Sequence, residues 1–312
     1  MEQIYRAYFT ENGHALITLS GHRVEKHALS QAKNGELKPS LIWASTLENC
    51  VNVVEAPQSG RLVATDTSGR HFGLCPKTGD HLWQSESVGE GDPGVVVAPP
   101  QSQERFVFAT WSGILQQLDP ATGTEIASQR AFLSQLRGLQ ATKDARELFV
   151  TVLVPAKSDS DPVGEVLSVI DLVALRMREV SLPTFSRGIF PCPTGQKALF
   201  VSLVDDPGGA RFNRSEHWQI MDLTDGKMRG ERTFGPKEIL SRNAVWSPDG
   251  QFIATAEGGR HLMISAQTLE ICGTVVGDGV ERPAFHPAGT HICLCRAHDT
   301  QIVPISALLS DA

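Results

Sequence analysis

A turn followed by an apolar strand recurs along the whole chain, and this repeat limits the possible folds more than any other feature. It reads ENGHALITL around Gly13, QSGRLVAT around Gly60, SQERFVFAT at Glu104 and KDARELFVTV at Asp144. It returns as PTGQKALFVSL around Gly195, SPDGQFIATA around Gly250 and HPAGTHICLC around Gly289, at a mean spacing of about 46 residues. Most units continue into a second hairpin, as in FGLCPKTGDHLW, LQQLDPATGTEIA, WQIMDLTDGKMRG and LMISAQTLEICG. Gly, Asn and Asp at the turns supply the positive φ that tight hairpins require, and the flanks alternate in strand fashion. Four short strands in each unit of this length is the pattern of a propeller blade.

Seven units predict an all-β, seven-bladed β-propeller with about four antiparallel strands per blade, forming one domain over residues 1–312. The expected blades are 1–47, 48–89, 90–134, 135–183, 184–239, 240–277 and 278–312. The last unit has room for about three strands after Val280, which leaves the means of closure open. Apolar spacing also allows short helices at 131–147 and 169–180.

Composition narrows the class. With 41% hydrophobic and 20% charged residues, the 312-residue chain has the make-up of a globular protein. Its longest apolar runs fall far short of the roughly 20 residues a bilayer demands. The start, MEQIYRAYFTENG, carries no apolar signal core, so a cytoplasmic location is expected. Six scattered cysteines within apolar runs read as buried thiols. A net charge of −7 argues against generic nucleic-acid binding.

Two sets of motifs resemble known propeller repeats. VWSPDGQFIATA and AFHPAGTHICLC resemble the inner hairpin of WD40-type and related bacterial propellers, whereas LCPKTGDHLWQ and LDPATGTEIA resemble the outer hairpin of quinoprotein-like propellers. The Trp-Asp dipeptide that ends many WD40 blades is absent, and no ligand set for a quinone cofactor is present. The resemblance implies an architecture and no subfamily, and such folds host enzymes, receptors and scaffolds alike.

Standard catalytic signatures are missing: there is no GxSxG, HExxH or GxxxxGK[ST]. GEGDPG fits GxGxxG by letter but leads into a strand, so it reads as a loop. Cys293 and Cys295 share one face of a strand, with His291 and His298 as the only local partners for a metal, and a buried thiol pair is the simpler reading. No catalytic residue, metal or cofactor is expected.

One series is less ordinary. Seven or eight residues before the turn, arginine recurs as Arg6, Arg137, Arg187, Arg242 and Arg282. On a ring these five would lie on consecutive blades near the channel rim, either stapling neighbouring blades through acids or receiving carboxylates or phosphates of a partner. Two long segments, Val154 to Glu165 and Val204 to His217, would project from the same face, and the second brings Arg211, Phe212, Arg214, His217 and Trp218, residue types common at interface hot spots. The expected function is therefore a non-catalytic protein-binding propeller: a scaffold, a regulator, or a bacterial immunity protein that occludes a cognate toxin. The alternative is a small-molecule enzyme of lactonase-like hydrolase or lyase type, with its site at the channel mouth.

Overall fold

The computed structural model describes residues 4–56, 58–86, 91–97, 103–110, 113–130, 136–142, 146–154, 164–171, 176–180, 188–205, 214–235, 244–257, 259–276, 282–296 and 299–309. The repeated turn forms because short polar side chains replace the missing backbone partners. In SPDG, Ser247 Oγ accepts from Phe252 N–H (2.9 Å) and donates to Asp249 Oδ1 (2.6 Å), which also accepts from Gln251 N–H (3.0 Å). In TENG, Thr10 and Asn12 make the same bonds to Ala15 and His14. The turn glycines sit at φ near +70°, as Gly13 (72°) and Gly250 (70°) show, where an L side chain is strained.

The chain runs β1 (Ile4–Phe9), β2 (Ala15–Ser20), β3 (Arg23–Gln31), β4 (Leu37–Thr46), β5 (Cys50–Glu55), β6 (Leu62–Asp66), β7 (His71–Leu74) and β8 (His81–Gln84). It continues with β9 (Gly91–Val97), β10 (Arg105–Thr110), β11 (Ile114–Leu118), β12 (Glu125–Arg130), β13 (Leu136–Ala141), β14 (Glu147–Val154), β15 (Gly164–Asp171) and β16 (Arg176–Val180). Then come β17 (Gly188–Pro191), β18 (Lys197–Asp205), β19 (Arg214–Asp222), β20 (Met228–Phe234), β21 (Val245–Trp246), β22 (Phe252–Glu257), β23 (Arg260–Ser265) and β24 (Ile271–Val276). The last elements are β25 (Ala284–Phe285), β26 (His291–Cys295), β27 (Thr300–Pro304) and the short helix α1 (Ile305–Leu309). The described parts of 131–147 and 169–180 are strands, not helices, and β9 already begins at Gly91 within GEGDPG.

The fold is all-β, but seven separate blades are not what forms. Five antiparallel four-stranded sheets of propeller-blade type, β5–β8, β9–β12, β13–β16, β17–β20 and β21–β24, accompany one seven-stranded sheet of order β1-β2-β3-β4-β27-β26-β25. This corrects both the seven-bladed expectation and the WD40-type resemblance. The physical reason lies in strand supply. The last repeat runs out after β27, whose edge pairs with β4 through Ile302 and Leu37. The strands β3 and β4, nine and ten residues long, overrun their own repeat to reach it. The end strands β1 and β25 lie against each other, so this sheet is nearly closed.

Two compact units divide the chain. One comprises Met1–Ser20, His27–Ser40 and Ser186–Ala312, and the other Gly21–Lys26 and Leu41–Phe185. Within the second, indole rings fasten one repeat to the next: Trp43 Nε1 donates to Pro76 O and Trp83 Nε1 to Pro120 O, each at 3.1 Å. Each ring lies on a turn glycine, Gly79 or Gly123, where an added Cβ would stand 2.5 Å from the indole. This is the physical content of the Lys-Thr-Gly and Ala-Thr-Gly turns. Glu104, buried, caps the preceding turn by accepting from the N–H groups of Gln58 (2.8 Å) and Ser59 (2.9 Å). In the first unit, Trp218, Ile220, Trp246, Ile253, Leu262 and Ile264 form the core between two sheets, and Ala7, Leu16, Cys293, Cys295 and Ile302 form that of the seven-stranded sheet. No helix among the described residues is long and apolar enough to cross a membrane.

Candidate anion-binding site

Backbone anchors sort the arginine series. The residue whose N–H opens each turn is Thr10, Thr142, Cys192, Ser247 or His286. Arg6 and Arg282 stand four positions before their anchors, whereas Arg137, Arg187 and Arg242 stand five before theirs. A one-residue offset in a strand is a change of face. Arg137 also falls at a register shift between Leu136 and Gly138, while Arg6 follows one and pairs with Leu19. Among the described members, Arg6 and Arg282 thus stand one position nearer their anchors than Arg137 does.

The structure does bring Arg6 and Arg282 together. Arg6 lies on β1, Arg282 two residues ahead of β25, and both are half-buried. Arg6 Nη1 donates to Tyr8 Oη (3.2 Å). Arg282 Nη2 reaches only the carbonyl of Ala244, at a long 3.5 Å, and no described carboxylate pairs with it. Burial pulls the Arg282 pKa below its usual value; Tyr8 opposes that shift and the like charge of Arg6 adds to it. A desolvated guanidinium with no counter-charge among the described residues is costly. The neighbouring-blade acid expected for a staple is here a backbone oxygen.

The remaining predicted residues are more scattered. Arg187, Arg242, Arg211 and Phe212 lie outside the described residues, and of Arg137 and Arg214 only the backbone, on β13 and β19, is described. His217 is on β19, bonded through Nδ1 to Thr233 Oγ1 (3.0 Å). Trp218 is 0% exposed, donates to Glu216 Oε2 (3.1 Å) and packs edge-on against Phe234, so it serves the core and not a projecting loop. All six cysteines are free; Cys293 and Cys295 are fully buried, and their mutual hydrogen bond together with burial pushes the Cys293 thiol well up. Among the described residues no group of three or more His, Cys, Asp or Glu could hold a metal ion.

Two histidines have roles that the sequence reading did not assign to them. His286 donates from Nε2 to Gly13 O (3.1 Å) and accepts at Nδ1 from Ala288 N–H (3.1 Å), which fixes a neutral tautomer and ties the β25–β26 turn to the β1–β2 turn. His291 reaches Gly35 O from Nε2 (3.0 Å). These bonds hold the two end strands, and with them Arg6 and Arg282, in place.

No protein-family model matches the sequence, and no curated protein matches it. Among solved structures the chain is similar to one from Kuenenia stuttgartiensis hydrazine synthase, with a TM-score of 0.69 and 11% identity, over 98% of this chain and 96% of that one. At that identity the likeness concerns the fold alone. Since 1504 solved chains match this one significantly in fold, the architecture selects no activity.

Proposed function

We propose that this protein handles a small anionic molecule at the cluster formed by Arg6, Tyr8 and Arg282. The observation that carries the reading is Arg282: a deeply set cation, beside a second guanidinium, with one long bond to a carbonyl. An oxyanion would supply the counter-charge and accept from the planar fork of the side chain. The fold shared with a chain named hydrazine synthase brings small-molecule chemistry within its range without transferring that reaction. Recognition of a partner protein through the same arginines is the second reading, with less support now that Trp218 belongs to the core.

The test is thermal unfolding and calorimetry with inorganic phosphate and with succinate, at constant ionic strength. The wild type gains stability as the anion saturates the site, about 2.7 kcal/mol at a hundredfold excess over Kd. Arg282→Gln removes that gain while keeping or raising the ligand-free melting temperature, because an uncompensated buried charge is lost. A variant that melts much earlier, or a wild type indifferent to both anions, would return Arg282 to a purely structural role.

A further inference from the structure

Away from the arginine pair, the sheet β21–β24 packs on β26 through Ala254, Met263, Ile292 and Leu294. A small cavity remains beside this joint, lined by Met263, Thr274, Ile292, Leu294, Leu308 and the ring of His261, with room for about one water molecule. Helix α1 covers it, and Gly273 is what lets the helix come so close. A Cβ there would lie 2.5 Å from the Leu308 carbonyl oxygen.

His261 is 4% exposed; the Cys295 backbone lies close enough to influence the ring, yet neither ring nitrogen has a hydrogen-bond partner of good geometry among the described residues. Nearby, Arg296 spends Nη2 on Gln301 Oε1 (2.7 Å) and its backbone N–H on Asp299 O (2.9 Å), while its buried Nε has no partner. The two side chains feel each other electrostatically across the joint. Buried nitrogens without a close partner are rare in folded proteins, and an ordered water is the usual remedy.

We infer that one ordered water occupies this cavity, bound to the His261 ring and within reach of Arg296 Nε. Stoichiometry supports it. A neutral imidazole offers one donor and one acceptor, and Arg296 Nε–H is a donor. One water can donate to the ring acceptor while accepting from the guanidinium, leaving its second hydrogen for a carbonyl. Apart from Thr274 the other lining side chains are apolar, so the histidine is the main group that would hold it there.

A high-resolution crystal structure of the full chain, with a bromide soak, tests this together with oxygen-17 relaxation dispersion on the wild type and His261→Leu. The expected result is a density peak within about 3.2 Å of a His261 nitrogen, without anomalous signal, and one fewer long-lived internal water in the variant. An empty cavity, a bromide peak at the position, or a dispersion unchanged by the substitution would overturn the inference. The wild-type crystal decides by itself if the variant does not fold.

Discussion

The tripeptide Gly-Arg-His occurs twice, at Gly69–His71 and Gly259–His261, each time after an Ala-Thr pair at the same distance, and the two sheets treat it differently. In β5–β8 the register sets Thr65 opposite His71, and Thr65 Oγ1 bonds to His71 Nδ1 (3.0 Å). In β21–β24 Thr255 stands opposite Leu262, so His261 faces Ala256. The cause is the turn. Asp66 N–H bonds to Arg70 O around a three-residue loop, whereas Glu257 pairs with Arg260 around a two-residue one. Moving the register by one position changes every cross-strand partner, so identical letters give one histidine a hydroxyl and the other a methyl.

The two imidazoles nevertheless agree in one respect, and acid is the strongest way to probe it. Burial lowers both to about 4 from an ordinary 6.5; the Asp66 charge opposes this at His71, and the Cys295 backbone opposes it at His261 while Arg296 adds to it. A histidine whose folded pKa is depressed keeps the protein stable above pH 6.5 and loses that contribution as pH falls toward 4. The full shift corresponds to about 3 kcal/mol for each ring. Urea midpoints measured from pH 7 to 4.5 should fall steeply in the wild type and less so in His71→Phe and in His261→Leu. Equal slopes in all three would mean that burial does not hold these rings neutral.

The next contrast concerns the arginines. Asp66 accepts from Arg70 through Nε and Nη2, both at 2.7 Å, and from the N–H groups of Ser68 and Arg70, both at 2.9 Å. Arg260 has Ala256 at the matching place and no ion pair with a described residue. Asp66→Ala should cost about 2 kcal/mol in chemical denaturation, since it strips the turn of its acceptor, whereas Arg260→Ala should stay within about 0.5 kcal/mol. Similar losses for the two would erase the distinction.

The smallest expected effect runs the other way. Ala256→Ser places a hydroxyl opposite His261 and should stabilise by up to about 1 kcal/mol while raising the ring's pKa in a proton NMR titration. A destabilised variant with an unmoved titration would show that the hydroxyl and the ring do not meet.

Much of the local structure was legible in the chain. The turn phrases around Gly13, Gly60, Gly195, Gly250 and Gly289 all adopt the positive φ that their letters require, because that requirement is local. The merger of first and last repeats was not, since it rests on Ile302 meeting Leu37 across most of the chain. The length of β3 and β4 was its only trace. Trp218 was misplaced although alternation pointed inward: Glu216, Trp218 and Ile220 are all buried on one face of β19. The acidic residue hid the pattern, and its carboxylate is there to receive the indole N–H. The arginine series matched in spacing from the turn, but spacing does not register bulges, and only Arg6 and Arg282 are seen to converge.

The seven-stranded sheet also sets an order of events during synthesis. β1 to β4 leave the ribosome before β25 to β27, yet the bonds from Gln301 to Glu36 and from His286 to Gly13 span 265 and 273 residues. Until β25 to β27 arrive, β4 keeps an open edge and Gly13 and Gly35 lack their imidazole partners. Contacts of such separation are slow to form and leave strand edges exposed meanwhile. The β1–β4 hairpins are the part of this sheet most in need of protection in the nascent chain, and β25 to β27 are the strands that end that exposure.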